Sequence, residues 1–230
     1  RGFIPPDEFI PIAEELGLIH ELGEQILRMA CSDMRALIEE RDADAPPLIL
    51  SVNVSSRQFA NPEFVNTVRS VILETGFPHS QLKLEITESV FLEHKENAIR
   101  MLKDLKAFGI EIDVDDFGTG YSNLNYLTQL PISTLKIDRS FIEAMESEGR
   151  KLEIVQTIIG LASNLGIKVI AEGVETEEQL DKLRTLNCGG AQGFYFAEPM
   201  TFDSVRKFVS GSDELPPEPF KDVPVVPSVQ

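Results

Sequence analysis

Six short segments of strand-like sequence alternate with helical sequence along this chain, and this alternation constrains the fold more than any other feature. Each segment is apolar or alternates apolar with polar residues, and in the sequence that follows apolar residues recur at helical spacing. Such strand–helix repeats form parallel sheets with right-handed crossovers, so the pattern predicts an α/β fold. The predicted strands cover residues 48–54, 82–87, 111–114, 134–138, 168–171 and 191–194. The predicted helices cover residues 7–17, 19–40, 63–75, 95–108, 123–129, 153–165, 177–186 and 202–209.

The number of strands favours a TIM-like (β/α) barrel that is incomplete at its amino end. Such barrels close with eight strands, and we predict six parallel strands here. Because the chain starts with a loop and helices, we expect the two missing N-terminal strands to precede Arg1. We expect the barrel to occupy residues 1–210. Residues 211–230 contain five prolines and little periodicity, which predicts a linker or a disordered tail.

The charge of the chain excludes one class of partner and suggests a type of cofactor. The 230 residues include 21 basic and 38 acidic ones, a formal net charge of −17. Polymeric nucleic acid requires a basic surface and is therefore not an expected partner. A small phosphorylated ligand would need local positive charge, which divalent metals can supply. We expect Cys31 and Cys188 to be reduced and structural.

The location of the protein is expected to be cytoplasmic. The sequence has no apolar run of the length that crosses a bilayer and no secretory signal at its amino end. The cytoplasmic part of a membrane-anchored protein would have the same features.

Polar side chains end every predicted strand, and together they predict a functional site. The carboxyl ends of parallel strands lie on one face of a barrel, where active sites are built. Carboxylate and amide oxygens suit Mg²⁺ or Mn²⁺, whereas clustered carboxylates without a metal repel one another. The residues concerned are Asn53, Glu85, Glu88, Asp115, Asp116, Lys136, Asp138, Glu172, Glu175 and Gln192.

Each of these residues taken alone also has a structural explanation. Asn53 can form a turn, and Glu85 or the Asp115–Asp116 pair can cap a helix. Lys136 can extend to solvent. The repetition of the same chemistry at five strand ends favours a site over these explanations. Gly118, Thr119 and Gly120 follow the acidic pair and predict a mobile loop.

A series of short motifs, in order along the chain, resembles the motifs of EAL-domain cyclic di-GMP phosphodiesterases. The resemblance runs from about residue 3 to residue 199. The motifs are NVS at 53–55, LEITES at 84–89, DDFGTGYS at 115–122, LKID at 135–138, AEGVE at 171–175 and QG at 192–193.

The resemblance implies a TIM-like barrel whose first strand runs against the others. It implies hydrolysis of one phosphodiester bond of cyclic di-GMP to linear pGpG with two Mg²⁺ or Mn²⁺ ions, with Ca²⁺ as a candidate inhibitor. It also implies a homodimer and a sensory or GGDEF-like domain upstream.

The resemblance further implies a role for each motif residue. Asn53, Glu85 and Asp115 would hold the first metal, and Asp115 with Asp116 would hold or bridge to the second. Lys136 would position or polarise the attacking water. Glu172 would be a ligand of the second metal or the general base. The residues implied to support the loop or the substrate are Glu88, Glu175, Asp138, Gln192, Gly118, Thr119 and Gly120.

One family motif is absent from the 230 residues, and its absence leaves two functions open. The Glu-Ala-Leu motif that names the family does not occur in this sequence, and we expect it about 30 residues upstream, on the missing strands. The first hypothesis is an active phosphodiesterase. The second is a degenerate domain that binds cyclic di-GMP without cleaving it. The other motifs are complete, which favours the enzyme; a scaffold without ligand would leave the strand-end acids unexplained.

Overall fold

The structure confirms the predicted parallel sheet. It is a computed structural model that describes residues 4–42, 44–90, 95–120, 127–145 and 149–210. Within these residues one sheet contains six strands in sequence order, and each neighbouring pair is parallel. The strands are β1 (Leu50–Val54), β2 (Leu82–Thr87), β3 (Glu111–Phe117), β4 (Thr134–Ile137), β5 (Lys168–Ala171) and β6 (Gly190–Ala191).

Helices precede the sheet and connect its strands. Two of them, α3 and α6, were not predicted, because four to six residues are too few to show a helical period. Their caps are nevertheless visible in the sequence: Ser55 and Gln58 form a capping box before α3, and Asp138 caps α6. The helices are α1 (Pro6–Glu15), α2 (Ile19–Glu40), α3 (Ser56–Phe59), α4 (Phe64–Thr75), α5 (Lys95–Ala107), α6 (Arg139–Ala144), α7 (Gly149–Leu165), α8 (Glu177–Thr185) and α9 (Phe202–Val209), with a 3₁₀ turn at His79–Gln81.

Two strands differ from their predicted bounds. β3 continues to Phe117 instead of ending at residue 114. β6 is limited to Gly190–Ala191 instead of 191–194, because the chain turns at Gly193, whose carbonyl accepts the N–H of Phe196 at 3.0 Å. Most of the helix predicted over 123–129, and the tail predicted over 211–230, lie outside the described residues.

The two faces of the sheet have different chemistry. Leu84, Ile112 and Leu135 are at most 1% exposed and belong to one buried cluster with Val68 of α4 and Leu102 of α5. Since side chains alternate along a strand, the residues between these apolar ones lie on the opposite face. That face carries charged side chains, and it leads to the site at the carboxyl ends of the strands.

Both cysteines are free and buried, as predicted. Burial raises the pKa of the Cys31 thiol to about 12, so this thiol stays protonated and unreactive near neutral pH. Among the described helices, none is both long enough and apolar enough to cross a membrane.

Candidate active site

A buried lysine joins three carboxylates from neighbouring strands. The Nζ atom of Lys136 lies 2.6 Å from Glu85 Oε2, 2.6 Å from Glu172 Oε1 and 3.4 Å from Asp115 Oδ1. The residues come from β2, β3, β4 and the end of β5, as predicted from their positions at strand ends. Lys136 and Glu85 are 3% and 7% exposed. The prediction that these four side chains lie together at one edge of the sheet is therefore correct. The alternative that Lys136 extends to solvent is wrong.

Strand alternation explains why these side chains lie on the same face of the sheet. β2 alternates Leu82, Leu84 and Ile86 toward the core with Lys83, Glu85 and Thr87 on the other face. Glu85 is in register with Asn53 of β1 on one side and with Asp113 of β3 on the other. Asp115 is in register with Thr87, two residues further along β2 than Glu85, and the alternation keeps Glu85, Asp115 and Lys136 on the same face.

A β-bulge in β3 places two consecutive carboxylates at the same edge. The register between β3 and β4 shifts between Val114 and Phe117, and Asp116 has a φ of 54°, which is uncommon for a residue with a side chain. The Asp116 N–H donates to Asp115 Oδ1 at 3.0 Å. In a regular strand these two side chains would point to opposite faces.

Three carboxylates of the site can converge on one cation. Asp115, Asp116 and Glu172 each offer an oxygen, and these oxygens lie within 4.8 Å of one another. The donor set consists of hard oxygen atoms only, which matches the preference of Mg²⁺ and Mn²⁺. The residues present therefore fit a divalent metal. Glu85 contacts the same lysine as Glu172.

The charges of the site shift the pKa values of its members. Burial lowers the pKa of Lys136, but the charges of Glu85, Glu172 and Asp115 outweigh this effect and hold it above its ordinary value. Burial raises the pKa of Glu172 to about 7 and also raises the pKa of Glu85, although Lys136 opposes both shifts. Burial, followed by the charge of Asp115, raises the pKa of Asp116. The site holds more negative charge than one ammonium group neutralises.

A cavity of about 550 Å³ lies beside this cluster. Its wall brings together most of the other predicted residues, and it also includes Arg139, Phe194 and Met200, which the sequence analysis did not identify. Arg139 directly follows the LKID motif, so its position next to a strand end was the available signal. The predicted residues in the wall are Asn53, Asp116, Asp138, Glu172, Glu175 and Gln192.

The glycine loop after β3 contacts Glu88, as the family resemblance implied. The Gly118 N–H donates to Glu88 Oε2 at 3.3 Å, and a Cβ atom at Gly120 would lie 3.0 Å from Glu88 Oε1. Thr119 Oγ1 donates to the Asp116 carbonyl at 2.8 Å. Glu88 therefore joins the end of β2 to this loop. Tyr121 and Ser122, the end of the motif, lie outside the described residues.

Three predicted support residues have local structural contacts. Asp138 Oδ1 accepts the Ser140 N–H at 3.1 Å as the cap of α6. The Glu175 N–H donates to Gln179 Oε1 at 2.8 Å, at the start of α8. The Gln192 N–H donates to the Ala171 carbonyl at 2.8 Å. Their implied roles in binding the substrate or bracing the loop stay predictions.

Gly193 is required for close backbone contact next to Gln192, and we expect Gly193→Ala to destabilise the domain. A Cβ atom at this position would overlap the backbone N and O atoms of Val174, which cannot move as a side chain could. We expect a loss of about 3 kcal/mol in the free energy of unfolding, the upper range for an overpacked site. Urea unfolding measures it.

Gly160→Ala provides the matched control. A Cβ atom at Gly160, inside α7, would meet open space, and this change should stabilise by up to about 1 kcal/mol. Equal stability of the two variants would contradict the role assigned to Gly193.

Comparison with known proteins agrees with the motifs. The family model described as "EAL domain" matches residues 1–199. The chain is 42% identical over 210 residues to MucR of Pseudomonas aeruginosa, a bifunctional diguanylate cyclase/cyclic di-GMP phosphodiesterase, covering 91% of this chain and 30% of MucR. It is 38% identical over 219 residues to NbdA of the same organism, a cyclic di-GMP phosphodiesterase, covering 94% of this chain and 28% of NbdA. The chain thus spans less than a third of either relative.

A solved structure of the MucR phosphodiesterase in complex with c-di-GMP has a similar fold. The TM-score is 0.84 at 41% identity, and the match covers 89% of this chain and 82% of the solved chain. This likeness confirms that the six parallel strands belong to a TIM-like barrel. Because the family model matches residues 1–199 of the 230, the chain belongs to the EAL domain family.

Proposed function

We propose that this chain hydrolyses cyclic di-GMP to linear pGpG with the help of two divalent metal ions. The observation that carries the proposal is the cluster of Asp115, Asp116 and Glu172, whose oxygens converge within 4.8 Å beside the Lys136 ammonium. A phosphodiester carries negative charge, and so does this site. Cations must therefore mediate their contact.

The residues of the site divide into metal ligands and groups that handle water. Asn53, Glu85, Asp115 and Asp116 would hold Mg²⁺ or Mn²⁺, with Glu172 as a further ligand or as the general base. When bound, two such ions neutralise the scissile phosphate and lower the pKa of a water molecule. Lys136 would orient the water through its ammonium group. Its pKa above the ordinary value keeps that group charged at neutral pH.

The reaction requires one proton to leave the water and one to reach the leaving oxygen. Water adds to phosphorus, the bond from phosphorus to one ribose oxygen breaks, and that oxygen takes up a proton, which gives a linear product. Glu172, with its pKa raised to about 7, can accept the proton of the water near neutral pH. Arg139, in the wall of the same cavity, is placed to contact a phosphate or a guanine base.

The test is to incubate the protein as encoded with cyclic di-GMP and either Mg²⁺ or Mn²⁺, and to follow pGpG by chromatography. We expect pGpG to form, and we expect EDTA to stop the reaction. We also expect Ca²⁺ to inhibit, because it prefers longer bonds and more ligands than Mg²⁺. Tight binding of cyclic di-GMP without any pGpG would instead support the second hypothesis, a domain that senses the nucleotide.

The proposal extends to partners of the whole protein. The resemblance implies a homodimer, and the bifunctional name of MucR supports a sensory or GGDEF-like domain in the same polypeptide. Cytoplasmic location stays an expectation.

Metal affinity should depend on pH because Glu172 binds a proton in the range where the enzyme works. Its pKa is raised to about 7, so below that pH a metal must displace the proton. We expect the metal affinity to fall about tenfold for each pH unit below 7 and to level off above it. Titration with Mn²⁺ between about pH 5.5 and 8, followed by electron paramagnetic resonance, measures this dependence.

Glu172→Gln is the control for this dependence, because it removes the group that titrates. This variant should bind Mn²⁺ more weakly than the wild type at high pH, and its Mn²⁺ affinity should change less with pH. If the wild type binds Mn²⁺ equally well at about pH 6 and pH 8, Glu172 is not the titrating ligand of the metal site.

A further inference from the structure

A second partly buried lysine lies on the same face of the sheet, nearer the amino ends of the strands. Lys83 Nζ donates to Asp113 Oδ2 at 2.9 Å and to Thr134 Oγ1 at 3.2 Å, and it lies 3.4 Å from Glu111 Oε2. Asp113 is 1% exposed, and its other oxygen, Oδ1, has no hydrogen-bond partner among the described residues. Neither the family motifs nor the predicted site includes this ion pair.

Asp113 is next to a residue of the site. It is in register with Glu85 across β2 and β3, and both carboxylates are buried on the same face. Each is bound by a different lysine: Asp113 by Lys83, and Glu85 by Lys136. Strands β2, β3 and β4 carry these two lysines and no others. If Lys83 lost its charge, Asp113 would be left beside Glu85 with Lys136 as the remaining lysine of the three strands.

Two buried carboxylates side by side need two cations. Unit charges a few ångströms apart in a protein interior interact strongly enough to reposition a flexible lysine side chain. Lys136 can reach Glu85, Asp115 and Glu172 together only while no further carboxylate attracts it toward the amino ends of the strands. The Lys83–Asp113 pair therefore bears on the geometry of the site without contacting substrate.

We propose that Lys83 is a positioning residue, which keeps the Asp113 carboxylate paired and so leaves Lys136 in contact with Glu85 and Glu172. The inference rests on the proposed phosphodiesterase function for its effect on turnover. It also has a consequence that does not depend on turnover. Because Lys83 contributes positive charge near the carboxylates, its removal should strengthen the binding of a divalent cation while it weakens catalysis.

The test compares Lys83→Met with the wild type in Mn²⁺ titrations and in cyclic di-GMP cleavage. We expect Mn²⁺ to bind about tenfold more tightly, because the local negative charge increases. We expect kcat to fall about tenfold with little change in KM, because Lys136 no longer holds its position. A residue with only a structural role would weaken both metal binding and turnover when lost.

Three further variants make the result decisive. Lys83→Arg keeps the charge and should behave as the wild type. The double variant Lys83→Met/Asp113→Asn removes both charges, and it should restore the metal affinity and kcat to within about threefold of the wild type. Lys103→Met removes a lysine from the exposed face of α5 and should change neither quantity. If Lys83→Met unfolds the domain, the double variant and Lys83→Arg still test the pairing.

Unchanged Mn²⁺ affinity and kcat in Lys83→Met, or a parallel loss of both that the double variant does not reverse, would overturn the positioning role. Tighter Mn²⁺ binding in Lys83→Met, together with no cleavage even by the wild type, would refute the phosphodiesterase function and keep the charge relation between Lys83 and the site.

Discussion

Asp115→Asn should abolish the cleavage of cyclic di-GMP while the fold stays intact. Asp115 is the residue that we propose would hold both metals, and its Oδ1 atom lies 3.4 Å from Lys136. The amide has nearly the same shape but no negative charge, so it would be a much weaker ligand for divalent cations. We expect turnover to fall about a thousandfold or more, at least the cost of removing one electrostatic group from a catalytic site.

Stability should respond far less than turnover. Lys136 keeps its two closest partners, Glu85 and Glu172, each at 2.6 Å. The site also loses one of several mutually repelling carboxylates. Chromatography of pGpG and urea unfolding measure the two quantities on the same samples. Asp104→Asn, on the exposed face of α5, is the matched control. Wild-type turnover in Asp115→Asn would show that the site is misassigned.

Lys136→Met should have the largest effect on stability. It removes the ammonium that contacts three buried or partly buried carboxylates, and Lys136 itself is only 3% exposed. Removing one partner of a buried ion pair costs about 3–5 kcal/mol, since the other charge remains without compensation. We expect a loss of this size in the free energy of unfolding of the metal-free protein.

The loss should depend on pH and on metal. The raised pKa values of Glu85 and Glu172 mean that both carboxyls gain protons as the pH falls. Lys136→Met should therefore be less destabilising at about pH 5 than at about pH 8. Saturating Mg²⁺ should also reduce the loss, because the ion supplies charge to the folded state. Turnover should stay low even then, because the ammonium that we propose orients the water is absent.

Urea unfolding at two pH values, with and without Mg²⁺, measures this dependence. Lys103→Met is again the control, since it removes the same charge from a solvated position. A loss of stability that is the same in all four conditions would contradict the role of Lys136 as the counter-ion of the three carboxylates.

The contact between Glu85, Lys136 and Glu172 could be predicted from the sequence because all three lie at or near the carboxyl ends of adjacent parallel strands. β2 alternates apolar and polar residues without interruption. Lys136 lies one residue before the end of β4, and Glu172 directly follows β5. Once the strands are known to be parallel and adjacent, their carboxyl ends must lie at one edge. The motifs then supplied the chemistry.

The position of Asp116 could not be predicted in the same way. Strand alternation places Asp115 and Asp116 on opposite faces, and only the bulge with a positive φ at Asp116 brings both to one edge. That conformation is unfavourable locally and depends on contacts from β4 and the glycine loop. The Lys83–Asp113 pair was missed for a different reason. Both residues lie inside strands, at alternating charged positions of β2 and β3, and a charged residue inside a strand gives no sign of which neighbour it will pair with.

The lysine among the carboxylates also separates folding from metal loading. Many small metal-binding domains are unfolded until their ion arrives, because their ligands have nothing else to neutralise them. Here the chain carries its own cation, attached to β4 and therefore present at a constant and high local concentration. A newly made molecule can complete its sheet whatever the supply of magnesium in the cell. If the site binds metal as proposed, the ion would reach a sheet that has already formed, and its abundance would control activity rather than stability.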